Sequence, residues 1–183
     1  MEDNTLPIYK ETKLGILSTR EIEQIIFDNL ILVQGYVYRN FETLSFSIET
    51  FCDLHASLCG NLFVNAGKWR THNVQVGVFE PIWFHQVPIE MKKLGDDISY
   101  RLQFLNSDKE KKECLAHVMR KLLRVHPFFD YNARVVRVFG ELFLLQQWLP
   151  INSFRGKTRK EFAEAMKKQT FEHDASWILK LLW

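Results

Sequence analysis

Cysteine is scarce in this sequence. The three present, Cys52, Cys59 and Cys114, form no CxxC pair, and an odd count argues against a disulfide framework and against a zinc site. Cys52 and Cys59 are seven residues apart, on one face of a helix, where small apolar packing is the expected role. An excess of charge of either sign is also missing. The 24 basic and 22 acidic side chains leave a formal net charge of +2, which gives no argument for nucleic-acid or membrane partners. Long apolar runs are absent. Val135–Leu145 is broken by Arg137, Gly140 and Glu141 and is too short to span a bilayer. The opening MEDNTLPIYKETK is polar and starts acidic, unlike a secretory signal. With no repeats or low-complexity stretches, these features predict a cytoplasmic protein.

Apolar material is present in quantity: 46% of the 183 residues are hydrophobic, enough for the core of one domain. Residues 1–13 read as a flexible leader and 14–183 as a single domain. From Leu14 the pattern is helical, with Ser18 and Thr19 as cap candidates and Glu21 or Glu23 completing a capping arrangement. Ile22, Ile25, Ile26, Leu30 and Val33 recur at helical spacing. A second helix is expected over about Ser47–Phe63, ended by Asn65–Gly67. Val74, Val76 and Val78 alternate with Gln75 and Gly77, a strand period, so a short hairpin or flap is expected within Trp69–Phe84. Further helices are expected at about Pro88–Leu105, Ser107–Val125 (with a Ser107/Glu110 capping box), Asn132–Leu149, Thr158–Gln169 and His173–Leu182. The fold class is mainly α with one small β element.

Between two apolar helices, His126–Arg137 reads HPFFDYNARVVR. A helix beginning near Asn132 would aim backbone N–H groups and its positive end at the loop. Arg134 and Arg137, three residues apart, would leave one helical face as phosphate-binding forks. Asp130 is a hard oxygen ligand suited to Mg²⁺, and His126 titrates near neutrality as a general base should. The plainer alternative is a structural His126, with Asp130 and Asn132 as turn residues and the arginines as a solvated helix edge. Elsewhere, Lys68 and Arg70 read either as phosphate contacts or as surface charges. His117 reads as a satisfied core histidine. The apolar run Trp177–Trp183 reads as core, with self-association as the other reading.

The loop resembles the Fic family's HxFx(D/E)GNGRxxR motif, matched by His126, Phe128, Asp130, Asn132, Arg134 and Arg137. LHASLCGNLFVNAGKWRTHNV at Leu54–Val74 is similar to that family's LH…LF…AGxxR segment through Ala66, Gly67 and Arg70, and LGILSTREIE at Leu14–Glu23 looks like the entry to its domains. The resemblance implies a Fic-like helical bundle with a β-hairpin flap (Val74, Gln75, Val76, Gly77, Val78) over the active-site loop. It implies a protein adenylyltransferase using ATP and Mg²⁺, with a protein Ser, Thr or Tyr hydroxyl as acceptor, self-modification included. His126 would be the base and Asp130 the Mg²⁺ ligand. Asn132, Arg134 and Arg137 would hold phosphates, with Tyr131 and Ala133 in the nucleotide loop. Those last two replace family glycines. A positive φ retained at Tyr131 would cost about 1–3 kcal/mol, and its ring could fill phosphate space. The alternatives are therefore a catalytically impaired nucleotide- or protein-binding module, or a variant that transfers another phosphate-containing group. Thr19–Glu23 is similar to the family's (S/T)xxxE(G/N) inhibitory helix, with Gln24 departing from it. The resemblance would pair Glu23 with Arg137; the plainer reading of Glu23 is a helix-surface or capping charge.

Overall fold

A computed structural model describes residues 9–76 and 79–151 of the chain. Strands β1 (Tyr9–Thr12) and β2 (Gly15–Ser18) form an antiparallel hairpin in which Tyr9 faces Ser18 and Thr12 faces Gly15. Five helices follow: α1 (Thr19–Asn40), α2 (Ile48–Cys59), α3 (Val87–Arg101), α4 (Asp108–Val125) and α5 (Asn132–Gln146). Short 3₁₀ turns precede and follow α3. The expected helices at 158–169 and 173–182, and the apolar run to Trp183, lie outside the described residues. Among the described residues no helix is long and apolar enough to cross a membrane.

The helix starts follow from local chemistry. Ser18 and Glu21 form a full capping box on α1, and Ser107 and Glu110 form another on α4. Ser47 caps α2. Each such cap is worth about 1 kcal/mol. Helix α5 has no side-chain cap; its N-cap residue is Tyr131, at φ 57°.

The strongly apolar helix expected after the loop is α5, and it ends at Gln146, short of the expected Leu149. It packs against α1, α2 and α4, burying Val135, Val136, Phe139, Leu142 and Phe143 completely. Phe139 stacks on Phe46 at 4.1 Å and meets Phe51 edge-on at 5.3 Å. His117, expected as a satisfied core histidine, is paired with Asp97 at 2.9 Å but is only half-buried.

One finding departs from the sequence expectations. The segment read as a leader contributes β1, held by contacts remote in sequence: the Lys13 N–H donates to Leu62 O (2.9 Å) and its ammonium to Gly60 O (2.7 Å) at the end of α2. The two-stranded sheet is therefore this hairpin. In the flap segment the described pairing is the single Val76–Phe79 bridge; Gly77 and Val78 lie outside the described residues.

Candidate active site

The loop between α4 and α5 begins and ends on left-handed residues, His126 (φ 50°) and Tyr131 (φ 57°). Such dihedrals persist in non-glycine residues only where the surroundings over-determine them. Several ties do so here. Phe128 is fully buried between Phe51 (5.3 Å), Trp69 (5.4 Å) and the His55 ring (3.8 Å). Asn132 folds its amide back on Phe128, accepting from its N–H at 3.0 Å and donating to its carbonyl at 2.9 Å. His55 Nδ1 accepts from Gly67 N–H (2.9 Å), so in the neutral ring Nε2 is the donor, and it reaches Asp130 O at 3.1 Å. Burial pushes the His55 pKa down to about 4, which keeps the ring neutral. Arg70 Nε donates to His126 O at 2.8 Å.

Gly67 explains part of the upstream segment. Its φ is +75°, and a Cβ there would stand 2.9 Å from the Ala56 Cβ and 3.0 Å from Cys52 O. Only glycine lets this turn lie against α2 and meet His55.

Each predicted site residue can now be placed. The His126 ring is half-buried, and desolvation pushes its pKa down to about 4, below the near-neutral titration expected of it, against the opposing effect of a hydrogen bond to the Leu123 backbone. One ring nitrogen thus carries a proton committed to a carbonyl, which leaves the other as a base. Asp130 is exposed. Its Oδ1 accepts from Tyr131 N–H at 2.8 Å, and its Oδ2 stands 3.5 Å from the Lys10 ammonium. Asn132, expected to face phosphate, is 1% exposed and is a loop-building residue in this structure. Ala133 is exposed on the first turn of α5.

The arginines differ from the expected pairing. Glu23 is ion-paired with Arg134, not Arg137. The Arg134 guanidinium also lies 5.0 Å from the centre of the Tyr131 ring, which stacks on Phe63 at 6.2 Å. Arg137 leans one turn down α5 toward Glu141, with Nε 3.5 Å from its carboxylate. Glu141 is 2% exposed and accepts from Gln34 and Tyr38 of α1. Burial pushes its carboxyl pKa up, opposed by those hydrogen bonds and by the Arg137 charge. A helix-face argument places both arginines on one side but cannot choose their partners.

Lys68 is exposed. Arg70, expected at phosphate or on the surface, is 2% exposed and is not a surface charge. Cys52, Cys59 and Cys114 are free, and burial pushes their thiols up to about 12, 12 and 11, as packing residues require. Among the described residues no group of three or more His, Cys, Asp or Glu could hold a metal ion. Asp130 is the one carboxylate placed on this loop, and it fits a cation that takes most of its remaining ligands from phosphate and water.

Sequence reasoning missed two residues of the site. Lys10 belongs to a strand read as leader. His55 lies inside the second expected helix, where a polar ring among Phe51, Leu54 and Leu58 was the available signal. Beside them lies a cavity of about 540 Å³ whose wall includes Lys10, Phe63, His72, Asp130 and Tyr131. The arginines and His126 lie outside that wall.

Comparison with known proteins agrees with this architecture. A family model described as the Fic/DOC family matches residues 45–144. The protein adenylyltransferase fic-1 of Caenorhabditis elegans is 32% identical over 117 residues, covering 63% of this chain and 22% of that protein. The Caenorhabditis briggsae protein of the same name is 31% identical over the same shares. The chain therefore spans about a fifth of the length of these curated relatives. In structure it is similar to BepC, a VirB-translocated effector of Bartonella tribocorum with bound AMPPNP, with a TM-score of 0.79 and 18% identity, over 100% of this chain and 93% of that one. It is also similar to the N-terminal Fic domain of a Bartonella quintana Bep effector with bound ADP, with a TM-score of 0.76 and 19% identity, over 100% and 91%. The chain belongs to the Fic/DOC family.

Proposed function

We propose that this chain transfers AMP from ATP to a hydroxyl side chain of a protein, itself included. The observation that carries the reading is the junction of α4 and α5. A neutral imidazole at His126 ends one helix, and the next begins five residues after Pro127 with no side chain capping its N–H groups. An uncapped N-terminus is suited to phosphate oxygens, and Asp130 stands beside it. The adjoining cavity of about 540 Å³ is of a size for a small ligand such as a nucleoside. Relatives named as adenylyltransferases, and similar folds with bound AMPPNP and ADP, support the same chemistry.

In this mechanism the unprotonated nitrogen of His126 takes the proton of a target Ser, Thr or Tyr. The hydroxyl oxygen attacks the α-phosphorus in line, its bond to the bridging oxygen breaks, and pyrophosphate leaves. Asp130 would hold Mg²⁺, which supplies charge neutralisation on the phosphates. The first turn of α5 orients the reacting phosphate, and Arg134 and Arg137 neutralise the distal ones. The contribution of the chain is positioning and electrostatic stabilisation. The flap segment about Val74–Phe84 would align the target by backbone pairing. We place the reaction in the cytoplasm, where ATP is abundant and free thiols persist.

The present side-chain arrangement is a resting one on this reading. Arg134 is held by Glu23 and by the Tyr131 ring, so a triphosphate must displace Glu23 to reach it. Tyr131 also favours a second reading, a module that binds nucleotide without turnover. Incubation with labelled ATP, Mg²⁺ and cell lysate separates the two. Label on a protein that disappears with His126→Ala supports transfer. Binding without label, converted to labelling by Tyr131→Gly with Ala133→Gly, supports the module.

A further inference from the structure

Arg70 heads the largest fully buried side chains of the described residues, at 2% exposure. Its hydrogen bonds go to backbone carbonyls. Nε donates to His126 at 2.8 Å, one terminal nitrogen donates to His72 at 3.0 Å, and the other donates to Ile82 and, at 3.4 Å, to Val125. Its own backbone N–H donates to Pro127 O at 2.8 Å. These acceptors lie on two separate stretches. Val125, His126 and Pro127 end α4 and open the catalytic loop. His72 and Ile82 flank the segment that carries the Val76–Phe79 bridge. The guanidinium charge also faces the carbonyl end of α4, where a cation is favoured. A planar fork with five donors can serve both stretches at once, which a lysine ammonium cannot.

We propose that Arg70 is a positioning residue that fixes the two ends of the flap segment against the turn carrying His126, so that target and base keep one registry. The proposal rests on the transfer reading for its consequence in catalysis, and on the hydrogen-bond geometry for its structure.

The test uses the intact chain. In the wild-type protein, the Arg70 Nε–H, assigned by NMR through its side-chain carbons, exchanges far more slowly than that of exposed Arg124. Equal rates overturn the proposal, and this arm stands even if a variant fails to fold. Arg70→Lys keeps the charge and loses the fork. Its hydrogen–deuterium exchange rises about tenfold in peptides covering 70–84 and 125–131 together, while α1 and α3 keep their protection. Val138→Ala, in the α5 core, is the control for general loss of stability. A uniform rise in Arg70→Lys matching that control makes Arg70 a fold residue only and overturns the proposal. In transfer assays Arg70→Lys lowers kcat about tenfold with KM for ATP changed less than about twofold; a raised KM with unchanged kcat contradicts it. A wild-type protein silent toward ATP refutes the transfer reading, and the exchange data then judge Arg70 by themselves.

Discussion

Glu23 on the second turn of α1 is ion-paired with Arg134 on the first turn of α5. The contact joins the two ends of a motif that sequence resemblance had paired differently. On the proposed transfer reading it puts a carboxylate where a distal phosphate would bind, so two negative groups would compete for one guanidinium.

Glu23→Gln should therefore strengthen ATP binding. The pair is partly exposed, with side chains 37% and 24% accessible, so its loss is worth about 1 kcal/mol, or roughly fivefold in Kd. Titration calorimetry of the two proteins measures this. An unchanged Kd would show that Arg134 does not meet phosphate.

Tyr131→Gly removes a left-handed tyrosine and frees the ring's space. Relief of strain stabilises by about 1 kcal/mol, while lost contact with Phe63 and Arg134 costs about 1–2 kcal/mol. The expected net is a small loss, a fall in Tm of a few degrees, together with tighter nucleotide binding. Thermal unfolding and a binding titration read both. Weaker binding would show that the ring is part of the nucleotide site and not an obstruction.

Stability should fall with acid in a defined window. Burial holds His126 and His55 near 4, while an unfolded histidine titrates near 6.5. Between those values the unfolded chain binds more protons, so unfolding free energy drops as pH falls from about 6.5 to about 4, on the order of 2–3 kcal/mol per histidine. Urea unfolding at pH 7.5 and 5 measures it, and His126→Ala should flatten the slope in part, since burial lowers the pKa of His55 and of His117 as well. A flat profile would mean that both rings are solvated. The base form of His126 persists through the same window, so labelling should not fall at pH 6 as it would for an ordinary histidine.

Gly67→Ala places a Cβ at a positive φ and within 3.0 Å of α2. It should cost about 2–3 kcal/mol and loosen His55 from Asp130. Chemical denaturation and the His55 ring NMR signals check this. A neutral effect would mean that the turn moves away from α2 freely.

Much of this was readable before any coordinates. The two capping boxes, Ser18 with Glu21 and Ser107 with Glu110, are local and need only a three-residue spacing. The helical stripes feeding α4 and α5 are equally local, and the motif side chains gather around one loop because α4 and α5 are consecutive. What escaped depended on remote partners. The hairpin of β1 and β2 is held through Lys13 to Gly60 and Leu62, a contact that no window around residue 13 contains. Arg70 reads as a phosphate contact or a surface charge until the carbonyls of His126 and Ile82 are known to surround it. The choice of Arg134 over Arg137 for Glu23 depends on how α1 packs on α5, and Glu141 tethers Arg137 from below. Asn132 belonged to the expected site, but its amide is satisfied by Phe128 four residues back.

The central claim is adenylyl transfer with His126 as base. Parallel reactions with ATP labelled at the α-phosphate or at the γ-phosphate test it most directly. The account predicts protein-bound label from α-labelled ATP, none from γ-labelled ATP, and loss of the label with His126→Ala. Label arriving from the γ-phosphate, or α-label indifferent to His126→Ala, would contradict it.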